Sequence, residues 1–199
     1  MTEQLQETIT DERAWDRSSF DDPAKYTFTL KPESIDELKK NRGLFTEPIT
    51  AQGGFEIDES LFPNLKADAE QYRNNYLEGG SGIGIISGIT PEEFTRLEQQ
   101  NIYWMMCKFL GTPLVQNHVG DFFITVENRG KSMKTGGRYH DTKEGGNMHS
   151  DSPQYATPPN YLGLLCYHPA KEGGRGILTS VYTVHNQLLK ENPDLLDEL

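Results

Sequence analysis

Gly145-Gly146-Asn147-Met148-His149-Ser150-Asp151-Ser152-Pro153 is the stretch on which the reading of this chain turns. On an extended segment successive side chains alternate, so His149 and Asp151, two residues apart, share one side. A histidine and a carboxylate presented together supply two legs of a 2-His-1-carboxylate facial triad. That ligand set holds non-haem iron(II) and leaves positions open for a co-substrate and oxygen. The tripeptide alone is a weak signal, because such a pair also arises by chance. Its surroundings give it weight.

Upstream, Asn128 to Gly146 is a glycine-rich, charged stretch that reads as a long loop, preceded by a strand pattern over Asp121 to Val126. Downstream, Tyr161 to Tyr167 and Ile177 to Tyr182 are strand patterns joined by a Pro169–Gly174 turn. The N-terminal half is helical in character. A short helix is expected over Ile35 to Phe45, and an amphipathic one over Asn64 to Leu77, stopped by Gly79-Gly80. A short β-branched strand is expected over Ser81 to Ser87. Thr90-Pro91-Glu92-Glu93 then predicts a helix start, with Thr90 as cap and Pro91 in the first position. Phe94, Leu97, Ile102, Met105, Met106 and Phe109 form its core-facing side, and Gly111 with Pro113 ends it. Strands with short turns following a helical half point to an α+β fold, an antiparallel sheet packed by helices.

Composition narrows the function classes. Hydrophobic residues make up 35% of the 199, and the deficit is concentrated in a polar, acidic arm over residues 1–25 in which Trp15 and Phe20 are the candidate docking points. The formal charge of −11 argues against nucleic acid or an anionic membrane as partner, since both reward clustered Lys and Arg. No signal peptide and no run of membrane-spanning length is present, so a cytoplasmic location is expected. Cys107 and Cys166 form no CxxC pair and have no histidine at zinc-finger spacing, so buried free thiols are expected.

From Phe122 to Leu199 the chain resembles the first half of the catalytic barrel of the iron(II)/2-oxoglutarate-dependent dioxygenases of the taurine dioxygenase type, the clavaminate synthase-like group. The residues that carry the resemblance are Gly137-Arg138-Tyr139, His149-Ser150-Asp151, Pro158-Pro159 and the strand Tyr161 to Tyr167. They continue with Ala170-Lys171-Glu172-Gly173-Gly174 and the run Ser180 to Leu189. The resemblance implies a double-stranded β-helix, or jelly roll, with packing helices. Residues 26–199 would be the N-terminal and first-half portion of a single dioxygenase domain, the C-terminal half of the barrel lying outside this chain. It also implies iron(II) as metal, 2-oxoglutarate as co-substrate, O2 as oxidant, and His149 and Asp151 as ligands. In the family a distal histidine and an arginine complete the site. His168 and His185 are the only later histidines here, and His185 falls in an expected helix.

The family often places a threonine directly after the Gly-Gly turn to reach 2-oxoglutarate; here Arg175 and Gly176 stand there and Thr179 follows. Thr179 is the candidate co-substrate contact. Arg138 and Asn147 are candidate substrate contacts or loop organisers, Arg being suited to bidentate carboxylate recognition. His140-Asp141 and His118/Asp121 lack the two-residue spacing and read as solvated loop residues. Asn192-Pro193-Asp194 is a helix start that the chain leaves almost at once, ending in Asp197 and Glu198, which reads as a truncation. The leading expectation is an oxygenase acting on a small polar or amino-acid-like metabolite, with homo-oligomerisation left open. The alternatives are a cupin-like metal protein without 2-oxoglutarate, and a catalytically dead or truncated relative acting as a binding subunit.

Overall fold

The computed structural model describes residues 5–49, 56–152 and 156–196, which divide into two units. One holds Met1–Lys40, Glu59–Ile89 and Glu172–Leu199, the other Asn41–Asp58 and Thr90–Lys171. Asp197 and Glu198 at the expected truncation, and Pro153 of the His-Ser-Asp stretch, lie outside the described residues.

In the first unit two short helices cap each other. α1 spans Pro32–Lys40 and α2 spans Pro63–Tyr72. Helix starts leave N–H groups without intrahelical partners, and Phe62, before α2, has no side-chain oxygen to offer them. Glu37 of α1 fills that role, accepting from the Asn64 and Leu65 N–H groups at 3.0 Å. In return Asp68 of α2 accepts from the Lys31 N–H at 2.9 Å and from Ser34 Oγ at 2.7 Å, and Lys31 Nζ lies 2.8 Å from its other oxygen. These pairings make the helices antiparallel around a core of Leu38, Phe62, Leu65 and Ala69, all fully buried. Burial raises the Asp68 carboxyl, but its bonds to Lys31 and Ser34 outweigh that and leave it below the usual range. α2 continues through a wider π-helical turn, Arg73–Glu78, to Gly79, close to the expected end.

β1, Thr27–Thr29, and β2, Ile85–Ser87, pair in parallel with Phe28 opposite Ile86. The expected strand over Ser81 to Ser87 is present but short, and it pairs in parallel with β1. The reason is topological: the chain crosses over through α1 and α2 before returning. At Gly88, which ends β2, φ is +112°, a conformation that side chains disfavour.

α4, Val181–Glu191, is capped by Ser180, whose hydroxyl accepts from the Thr183 N–H at 3.1 Å. This corrects the expected strand over Ile177 to Tyr182. The serine cap prevails over the β propensity of Val181 and Tyr182, and residues 177–180 form no ladder. The N-terminal arm lies along this helix. Asn186 takes both backbone groups of Ile9, accepting from its N–H at 2.8 Å and donating to its carbonyl at 2.7 Å. Ser180 Oγ donates to the Arg13 carbonyl at 2.6 Å, and Thr183 Oγ1 to the Trp15 carbonyl at 2.7 Å. Trp15 Nε1 donates to Ser81, and its ring meets Phe20 edge-on at 5.1 Å.

The second unit is organised on α3, Arg96–Leu110. It starts five residues later than Thr90-Pro91 predicts. Thr95 and Glu98 form a capping box, in which Thr95 Oγ1 accepts from the Glu98 N–H and the Glu98 carboxylate accepts from the Thr95 N–H at 2.7 Å. Residues 90–94 make a turn in front of it, with the Phe94 N–H bonded to the Thr90 carbonyl. Phe94, Ile102, Met105, Met106 and Phe109 are buried as expected, and Trp104 joins them. Tyr103 and Trp104 hold the following segment: Phe123 contacts both rings, Phe122 contacts Trp104, and the Gly163 backbone lies against the Tyr103 hydroxyl. Arg96 sits 4.7 Å over the Tyr167 ring. Burial pushes the Cys107 thiol up to about 11. Cys166, expected to be buried, is exposed.

Among the described residues of 111–171 there is no strand and no helix longer than three residues. The expected strands over Asp121 to Val126 and Tyr161 to Tyr167 form no ladder, and Phe122 and Tyr167 stand at bends. A strand requires a partner to satisfy its N–H and C=O groups, and in a jelly roll sheet neighbours are often remote in sequence. In the second of those segments the apolar side chains are correspondingly open, Leu162 being 63% and Leu164 79% exposed.

Candidate metal site

The site lies in the second unit and is built on a buried aspartate. Asp141 is 5% exposed, with Lys131 Nζ at 2.8 Å from Oδ2 and Arg129 Nη1 at 3.4 Å from Oδ1. The Lys131 hydrogen bond, more than any other influence, holds its carboxyl below the usual range. Backbone bonds from the Glu127 N–H to the His140 carbonyl and from the Arg129 N–H to the Asp141 carbonyl, both 2.9 Å, close the same clasp. The expectation of a solvated loop at His140-Asp141 is therefore corrected: Asp141 is the anchor of the loop. The clasp fixes the helical turn Tyr139–Asp141 and places Tyr139 where its ring lies parallel to that of His149, centroids 6.2 Å apart and planes 11° apart.

His149 Nδ1 is 2.7 Å from the Asn147 carbonyl. A carbonyl only accepts, so Nδ1 carries the proton and, in the neutral ring, Nε2 keeps its lone pair. Nε2 is 3.5 Å from Asp151 Oδ1. Two adjacent ligands bonded at about 2.1 Å to one divalent ion stand roughly 3 Å apart, so the donors are spaced closely enough to share one. They do so at the surface, their side chains 58% and 48% exposed, and not in a shielded interior. Directly after Asp151, Ser152 adopts φ +53°, alone in positive φ among the described non-glycine residues. A conformation of that kind costs about 1–2 kcal/mol.

The other candidates are dispersed. Arg138 is exposed beside Tyr139, and Asn147 enters through its backbone carbonyl. Thr179 is exposed in the first unit, just before α4, and His185 of α4 is 3.3 Å from the Glu7 carbonyl there. Among the described residues no group of three or more His, Cys, Asp or Glu comes together. The donor set is thus a pair. Sequence reasoning missed the clasp and the parallel placement of Tyr139 beside His149. Tyr139 lies ten positions before His149, and only its place in Gly137-Arg138-Tyr139 marked it. No helix among the described residues is long and apolar enough to cross a membrane.

Comparison with known proteins places this geometry in context. Over 98% of its length the chain is 29% identical to FR-33289 synthase of Streptomyces rubellomurinus, covering 56% of that protein. Over 96% of its length it is 22% identical to the taurine hydroxylase-like protein SAT17 of Stachybotrys chartarum, covering 50% of it. The chain thus spans about half the length of the curated relatives it matches. The model of the family described as taurine catabolism dioxygenase TauD, TfdA family, matches residues 43–199, which include α3, the Asp141 clasp and the His149/Asp151 pair. With well over half of its residues matched, the chain belongs to the TauD/TfdA dioxygenase family.

Proposed function

We propose that this chain carries two of the iron(II) ligands of a 2-oxoglutarate-dependent oxygenase that hydroxylates or otherwise oxidises a small polar or amino-acid-like metabolite. The observation that carries the reading is the approach of His149 Nε2 to Asp151 Oδ1 at 3.5 Å, inside the family-matched segment. Family membership implies a jelly-roll enzyme and this metal and co-substrate. When bound, they supply the oxidising chemistry, with O2 consumed and succinate and CO2 released.

The chain's own residues bind and orient. The Asn147 carbonyl keeps the proton of His149 on Nδ1, so the imidazole presents a lone pair and not an N–H. Asp151 brings an anionic oxygen to the same point and offsets part of the metal's charge. The Arg138 guanidinium offers two parallel hydrogen bonds to a substrate carboxylate or sulfonate, and the Asn147 amide offers a donor and an acceptor. Thr179 offers an exposed hydroxyl to 2-oxoglutarate. The name of the taurine hydroxylase-like relative supports hydroxylation and a small amino sulfonic acid as the substrate class to try first.

The test is succinate formation from 2-oxoglutarate with iron(II) and ascorbate against a panel of amino acids and sulfonates. His149→Ala and Asp151→Ala are expected to abolish it while circular dichroism stays unchanged, because both side chains are exposed and support no core. Asp151→Glu displaces the carboxylate by about a carbon–carbon bond and is expected to lose roughly 100-fold. Turnover that survives without iron, or in both alanine variants, overturns the assignment.

A further inference from the structure

We propose that Tyr139 is a positioning residue that fixes the plane of the His149 imidazole, so that Nε2 stays aimed at the point it shares with Asp151. The inference rests on the metal reading of that pair. One hydrogen bond, from Nδ1 to the Asn147 carbonyl, holds one atom of the His149 ring. It sets the tautomer and leaves the ring able to pivot about that contact. The side chain is 58% exposed on a stretch that begins Gly145-Gly146, so no packed core restrains it. A second contact is needed to define a plane, and the Tyr139 ring supplies it from a parallel position, 11° off and 6.2 Å away.

Tyr139 is itself held. It opens the helical turn closed by buried Asp141, which Lys131 and Arg129 grip. The Gly146 backbone also lies near the ring, where an added Cβ would stand 3.6 Å from Cε1, an ordinary van der Waals contact. The order of support therefore runs from the Asp141 clasp to the Tyr139 ring to the His149 imidazole. It is the ring of Tyr139, not its hydroxyl, that lies parallel to the imidazole.

Outer-shell partners that orient a metal-binding histidine are commonly worth 10–100-fold in metal affinity. Cobalt(II), which absorbs visibly when bound, is the probe for dissociation constants, alongside iron(II) measured anaerobically by chelator competition. Tyr139→Ala is expected to weaken both metals by about 10-fold. Tyr139→Phe keeps the ring and is expected to match wild type, whereas Tyr139→Leu keeps bulk without a plane and is expected to behave like alanine. Near-ultraviolet circular dichroism confirms that each variant folds; Tyr139 is 45% exposed, so truncation leaves the core intact. Wild-type affinity in the alanine or leucine variant overturns the proposal, as does a phenylalanine variant as weak as alanine. Equal cobalt binding by wild type and His149→Ala would instead sink the metal reading itself.

Discussion

α3 and the segment that follows it share one unit and differ in almost every physical respect. α3 satisfies its own backbone, closes its start with Thr95 and Glu98, and buries Ile102, Trp104, Met105, Met106 and Phe109. The segment from 111 to 171 carries the proposed metal ligands and, among its described residues, has turns and clasps but no strand and no helix longer than three residues. It is held by aromatic contacts to Tyr103 and Trp104 and by the Asp141 clasp. The difference teaches where stability and function reside: the helix supplies the fold, and the site rides on it through a few side chains. Residues of one chemical type should therefore have very different weights in the two places.

Truncating the same kind of aliphatic side chain in each place tests that most severely. Ile102→Ala opens a cavity in a fully buried position and is expected to cost 2–5 kcal/mol, read from a denaturant midpoint. Leu164→Ala removes a side chain already 79% exposed and is expected to stay within about 0.5 kcal/mol. Comparable losses at the two positions would mean that Leu164 is covered in solution and that α3 and the segment after it are equally packed.

A second effect sharpens the comparison from the first unit, where an extended segment does find partners. Asn186 holds the backbone of Ile9 at both ends, so Asn186→Ala leaves a donor and an acceptor without their partner. The expected loss is about 1–2 kcal/mol, with amide exchange accelerated over residues 7–15. Exchange at those residues that is already fast in wild type would show that the arm is not laid on α4.

The third effect is pH dependence in α3. Arg42 forks onto Glu98 at 2.8 and 3.0 Å, and that hydrogen bonding, ahead of all other influences, takes the carboxyl from 4.5 to about 2. Because the folded value lies below the unfolded one, the stabilisation is complete above about pH 4.5 and is lost as pH falls toward 2. Asp68 acts in the same direction in the first unit. Glu98→Gln is expected to flatten the stability curve across that window and to cost about 1 kcal/mol at neutral pH. An unchanged slope in the variant assigns the acid sensitivity to other carboxylates.

Legibility in the sequence follows the same division. α2 and α3 could be read because a helix declares itself in neighbours three and four residues apart, and Leu65, Ala69 and Tyr72, or Ile102, Met105 and Phe109, do so. The strands after Phe122 could be read only as propensity, since pairing depends on residues far along the chain. Ile177 to Tyr182 shows the cost: its β-branched composition pointed to a strand, and one Ser180 hydroxyl made its end a helix. The His149/Asp151 pair was legible because a spacing of two is a local property. The clasp that supports it was not, because Arg129, Lys131 and Asp141 meet only once the loop has closed.

The smallest effect concerns a single boundary, and it separates two readings of one stretch. Thr90-Pro91-Glu92-Glu93 has every local mark of a helix start, yet α3 begins at Arg96. A cap is identified by the N–H it satisfies, not by its residue type. Thr95 Oγ1 meets the Glu98 N–H at 3.3 Å while the Glu98 carboxylate takes the Thr95 N–H, so two first-turn donors are answered reciprocally. Glu98 is also the residue that Arg42 grips, so a start at Thr95 uses one carboxylate for both the cap and the ion pair. A start at Thr90 would place that carboxylate in mid-helix, where the Thr95 N–H would be taken by a backbone carbonyl and the reciprocal cap would be lost. Thr95→Ala is therefore expected to cost about 1 kcal/mol, and Thr90→Ala only a few tenths. The reverse ranking in paired denaturation curves would move the start of α3 back to the proline and take the shared role of Glu98 with it.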